Sequence, residues 1–151
     1  SLNMFARLAL VALLAVAASA QEFEFPEFLQ NAPAAVKASF KGVLAANENK
    51  PEAAVNAAMD QWAAAQTPAI AAGYQKLKAD IAKYRDEEEN AHQAALSKFS
   101  PAAKAADAKL SQIAAQTGIS FADKQKQITS FIDSLPAGVK REILAAMGNQ
   151  A

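Results

Sequence analysis

From residue 33 onward the large apolar residues recur at intervals of three and four, the period of one helix face. Val36, Phe40, Val43 and Leu44 predict a helix over about 33–46, and Val55, Met59 and Trp62 a second over about 51–66. Ile70, Tyr74, Leu77, Ile81 and Tyr84 mark a third that starts near Pro68. Leu110 and Ile113 belong to a fourth over about 101–116, which Gly118 stops. Phe121, Ile128, Phe131 and Ile132 follow in a fifth from Ser120, where Asp123 three residues on approximates a capping box. Val139, Ile143, Leu144 and Met147 form a sixth over about 137–147. No segment alternates in the two-residue period of a strand. The pattern predicts an all-α fold of five to six helices in antiparallel pairs with short loops.

Proline punctuates the same segments. Pro33, Pro51, Pro68, Pro101 and Pro136 each stand where a helix should begin, a position that tolerates the missing N–H and uses the fixed φ. Thr67 and Ser100 precede two of them as N-cap residues. Pro26 instead lies in an irregular arm over 21–32, whose Phe23, Phe25, Phe28 and Leu29 must dock on the bundle or in a partner's groove.

The third segment departs from the others. No Pro or Gly interrupts 74–99, and a helix over 68–98 would be about 46 Å long, against about 30 Å for a domain of this size. Its apolar stripe also fails: beyond Tyr84 it reaches Glu88, with His92 beside it, inside a run that is polar nearly all round. Helices of that kind bridge parts of a protein through solvent. The pattern predicts two helical halves, about 28–84 and 95–147, joined by a long polar-centred middle helix; a break near 86–90 would instead fold both into one bundle.

The first twenty residues predict where the protein works. Arg7 supplies a positive charge after Met4, an apolar run follows over 8–16, and Ala18-Ser19-Ala20 is a small-x-small cleavage site. This is the plan of a secretory signal peptide over 1–20, with Met4 as initiator and a mature chain from Gln21. The run is shorter than the roughly 20 residues of a membrane span. Removing the first 20 of 151 residues leaves 131, enough for one helical domain over 33–148 behind the arm. The 15 basic and 15 acidic residues become 14 and 15 without Arg7. That balance, with no basic block, argues against nucleic acid and anionic membrane surfaces as partners. There is no cysteine, hence no disulfide, thiolate ligand or cysteine nucleophile. Alanine supplies much of the 52% hydrophobic content, which favours closely packed helices.

One titratable constellation stands out: Asp86, Glu87, Glu88 and Glu89 followed by His92, the single histidine. Glu88 and His92 are four apart and Glu89 and His92 three apart, so each pair shares a helix face. Carboxylate and imidazole at that spacing can hold a divalent cation such as Zn²⁺, so Glu88, Glu89 and His92 are the candidate metal ligands. The alternative is a solvated face with Lys83 and Arg85 pairing locally. No loop carries the acid pattern and central glycine of a calcium-binding EF-hand. Isolated glycines exclude a phosphate-binding loop, and no serine carries a nucleophile motif. The chain reads as non-enzymatic.

Several stretches resemble the SXP/RAL family of nematode secreted antigens and allergens. They are Phe28-Leu29-Gln30-Asn31-Ala32 and Ser100-Pro101-Ala102-Ala103-Lys104-Ala105-Ala106-Asp107-Ala108-Lys109-Leu110. The third is Ile128-x-x-Phe131-Ile132-x-Ser134-Leu135-Pro136-x-x-Val139-Lys140-Arg141-Glu142-Ile143. The resemblance implies a small secreted all-helical protein, arranged like calmodulin without calcium loops, whose domain binds Mg²⁺ or Zn²⁺ and which meets host antibodies. It carries no ligand motif onto individual residues here.

Two other functions fit the pattern. Phe40, Trp62, Tyr74, Phe121 and Phe131 could line a cavity for fatty acids or other small apolar ligands. The 70–84 stripe could pair with another helix in a dimerisation module.

Overall fold

The computed structural model describes residues 24–147, and the predicted signal peptide and Phe23 lie outside them. Among the described residues there are seven helices and no strand: α1 (Glu27–Gln30), α2 (Ala34–Asn47), α3 (Glu52–Ala64), α4 (Pro68–Leu96), α5 (Pro101–Ala114), α6 (Phe121–Asp133) and α7 (Ala137–Ala146). The all-α expectation holds. The arm is less irregular than its sequence predicts, because Pro26 starts the single-turn helix α1. Pro68 and Pro101 are the first residues of their helices, whereas Pro33, Pro51 and Pro136 stand one position earlier, as N-caps.

Hydroxyl caps fix the starts that proline alone leaves open. Ser100 Oγ accepts from the Ala103 N–H at 3.2 Å and Ser120 Oγ from the Asp123 N–H at 3.1 Å. Glu142 of α7 completes the first of these. Its carboxylate accepts from the Ser100 N–H at 2.7 Å and from the Ser100 hydroxyl at 2.8 Å, tying the end of the chain to the start of α5.

The apolar faces close on two clusters. Leu29, Phe40, Leu44, Met59, Trp62, Ala63 and Tyr74 form one, from α1 to the first part of α4. Ala103, Ala106, Leu110, Ile113, Ile128, Ile132, Ile143 and Met147 form the other, where α6 and α7 pack on α5. Burying each large side chain contributes about 1.5–3 kcal/mol. Phe40 meets Trp62 edge-on with ring centroids 5.2 Å apart, and the indole N–H donates to Ser39 Oγ at 2.9 Å. The arm completes the first cluster: Leu29 is fully buried, and Phe25 and Phe28 pack against it.

Helix α4 runs unbroken through 86–90, so of the two arrangements predicted for this region the continuous helix is the one observed. Its 29 residues reach about 44 Å. Leu77, Ile81 and Tyr84, in its middle, are half-buried and belong to neither cluster. The loop before α3 pairs with the loop before α6. The Glu52 N–H donates to the Ile119 carbonyl at 3.1 Å, the Ala53 N–H to the Thr117 carbonyl at 3.0 Å, and Pro51 and Ser120 form an isolated antiparallel bridge.

Candidate functional site

The C-terminal half of α4 and helix α5 make an antiparallel hairpin through 97–100. Along α5 one face carries Ala103, Ala106, Leu110 and Ile113 into the core, while the adjoining face offers Ala108, Ser111 and Ala114 toward α4. Those side chains are too short to fill the space, and a cleft of about 690 Å³ remains. Glu52 of α3 and Phe121 and Lys124 of α6 line it as well.

His92 spans this hairpin. Its Nε2 lies 2.7 Å from Asp107 Oδ1, and its Nδ1 is 3.7 Å from Glu89 Oε1. An ionised carboxylate can only accept, so Nε2 carries the proton and the lone pair of a neutral ring sits on Nδ1. That nitrogen is buried and has no hydrogen-bond partner among the described residues. Asp107 thus orients the ring as an outer carboxylate orients a metal-ligating histidine.

Of the three residues predicted as ligands, the structure brings Glu89 and His92 together and turns Glu88 elsewhere. Glu88 is not among the side chains lining the cleft. It lies by Tyr84, whose pKa is raised by burial of its hydroxyl and by the Glu88 carboxylate. Glu88 and Glu89 are consecutive and so point about 100° apart around the helix, on opposite sides of His92, and only Glu89 meets α5 here. Glu89 also accepts from Gln93 Nε2 at 2.7 Å. Asp107 and Glu89 approach opposite nitrogens of one ring, so they do not converge on a common point. Among the described residues no group of three or more His, Cys, Asp or Glu side chains is gathered to hold an ion. Lys83 reaches Glu87 at 3.9 Å on the exposed side of α4, the local pairing that the sequence offered.

The sequence reading missed three residues here: Asp107, Lys124 and Glu52, all buried and charged. Two were detectable. Asp107 interrupts the Ala103, Leu110 stripe, and Lys124 interrupts the Phe121, Ile128 stripe, each as a charge on an inward face. Lys124 Nζ pairs with the Glu52 carboxylate and donates to the Ala114 carbonyl at 2.9 Å, closing the inner end of the cleft. All five aromatic residues that could line a lipid cavity, Phe40, Trp62, Tyr74, Phe121 and Phe131, pack in or against the two clusters, and Phe121 also lines the cleft.

Residues 2–148 match the family model described as SXP/RAL-2 family protein Ani s 5-like, metal-binding domain. The chain is 34% identical over 129 residues to the OV-17 antigen of Onchocerca volvulus, covering 85% of this chain and 79% of that protein. It is 30% identical over 123 residues to the SXP/RAL-2 family protein Ani s 5 of Anisakis simplex, covering 82% and 81% respectively. No solved structure matches.

Proposed function

This chain belongs to the SXP/RAL-2 family, and from that membership we propose that it is a non-enzymatic extracellular protein that binds a divalent cation weakly in the α4–α5 cleft. The observation that carries the reading is the buried, unpartnered Nδ1 of His92, set by Asp107 and facing Glu89. His92 and Glu89 would hold the ion, with water in its remaining positions. Two protein donors make a weak site, since closed structural zinc sites use four. The family description as a metal-binding domain supports the same reading, and Zn²⁺ and Mg²⁺ are the ions to test. An imidazole ligand favours Zn²⁺, and an all-oxygen sphere favours Mg²⁺.

Export rests on the basic, apolar and small-residue pattern of 1–20, and contact with host proteins or antibodies on the antigen named among its relatives. Calorimetric titration of the purified protein with each ion tests the cation. His92→Ala should weaken Zn²⁺ and leave Mg²⁺ unchanged. Absence of heat and of any melting shift with both ions would remove cation binding, and unchanged Zn²⁺ affinity in the variant would remove this site.

A further inference from the structure

The cleft has a second property that the cation reading does not use. Its cations are unequally engaged: Lys124 is bound to Glu52 and Ala114, whereas the Arg85 and Lys104 side chains make no ion pair or hydrogen bond among the described residues. The two stand at opposite ends. His92 meets Asp107 across the hairpin, so Arg85, seven residues before His92, lies level with Ala114, seven residues after Asp107. Each is about 10 Å from the bridge along its own helix. Lys104 lies at the closed end of the hairpin, near Leu96. Between them α5 contributes Ala108, Ser111 and Ala114 besides Asp107, α4 contributes Glu89, His92 and Gln93, and Phe121 stands at the inner end.

We propose that this cleft binds a single-chain amphipathic carboxylate, such as a fatty acid, with Arg85 receiving the head group and the small-residue wall of α5 taking the chain. Three observations agree. The volume of about 690 Å³ lies inside the usual range of small-molecule sites, about 300–1,000 Å³. The distance from Lys104 to Ala115 along α5 is about 16 Å, a trough rather than a spherical hollow. The guanidinium is the side chain whose planar fork matches a carboxylate in two parallel hydrogen bonds. The proposal needs no cation, so its failure and that of the cation site are separable.

The test is a fluorescence titration with dansylaminoundecanoic acid in the presence of EDTA. The full-length protein should give saturable, blue-shifted emission that dodecanoate displaces and dodecanol does not. Arg85→Ala should weaken binding about tenfold, the effect of one lost charge-assisted contact. Lys104→Ala should change it less than threefold. Ser111→Trp, which fills the trough, should abolish the signal, with circular dichroism showing that helix content is kept. A flat wild-type titration overturns the site. Equal displacement by the alcohol, or an unchanged affinity in Arg85→Ala, overturns the head-group assignment. Retained binding in a folded Ser111→Trp places the probe outside the cleft and overturns the proposal.

Discussion

Lys124 and Glu52 form a buried ion pair that fastens the first turn of α6 to the first residue of α3, across the paired loops. The two side chains are 3% and 10% exposed, so neither charge has water to replace its partner. Lys124→Met leaves the Glu52 carboxylate buried without its counter-charge and should cost about 3–5 kcal/mol. Lys124→Met combined with Glu52→Gln removes both charges and should cost less than Lys124→Met alone, because such pairs contribute little net stability against neutral side chains. Urea denaturation of the wild type and the two variants measures this. A double variant destabilised more than Lys124→Met alone would show that the pair is not coupled.

The second relationship is steric. A Cβ built on Gly73 would lie 2.6 Å from Phe28 Cβ, where α1 crosses α4. Glycine to alanine inside a helix ordinarily gains about 1 kcal/mol. At Gly73 the clash should reverse the sign, because the opposing atom is a Cβ fixed to the α1 backbone; overpacking costs about 1–3 kcal/mol. Phe28→Ala keeps that Cβ and should not relieve the clash, whereas Phe28→Gly should. Thermal melts of Gly73→Ala in the three backgrounds decide it, and stabilisation in the wild-type background would contradict the close approach.

Much of this fold could be read from the chain because its signals are local. Phe40, Met59, Trp62, Leu110, Ile128 and Ile143 lie on the predicted inward faces, and Thr67, Ser100 and Ser120 cap helices where the sequence placed starts. The site was only partly legible. Helical spacing put Glu88 and Glu89 equally near His92, and only the position of α5 distinguishes them. The Asp107 contact spans 15 residues and the Lys124–Glu52 pair 72, separations that no periodicity encodes. Glu52 carried no signal of its own, since an acidic residue in a first helical turn is ordinary.

Asp60 sets the behaviour at both extremes of pH. Lys78 and the Tyr74 hydroxyl hydrogen-bond to its carboxylate at 2.9 and 2.8 Å, and they hold its pKa below the usual carboxylate value. A depressed carboxylate contributes stability above its unfolded pKa of about 3.9, and that stability is lost as pH falls through the lower folded value. Tyr74 behaves in the opposite sense. Burial, and then its hydrogen bond to Asp60, raise its pKa, so its contribution is full below about pH 10 and is lost as pH rises beyond it. Asp60→Asn should flatten the acid limb of the stability profile, and Tyr74→Phe the alkaline limb. The acid effect should be small, because the Asp60 side chain is 49% exposed. Unchanged limbs in both variants would detach this cluster from the pH response.

The outer position of Asp107 separates orientation from ligation. If His92 Nδ1 and Glu89 hold the ion, Asp107 acts only through the ring that it accepts from at Nε2. Asp107→Asn keeps the size of the side chain and can still accept that proton, but it loses the charge that makes the imidazole a better ligand. Zn²⁺ affinity should fall about 10–100-fold, the usual effect of an outer carboxylate. His92→Ala should lower it further, and Glu88→Gln should leave it unchanged, because Glu88 lies by Tyr84. Calorimetric titration of the three variants at one pH gives the ranking. A larger loss from Glu88→Gln than from Asp107→Asn would move the ion to the other face of α4.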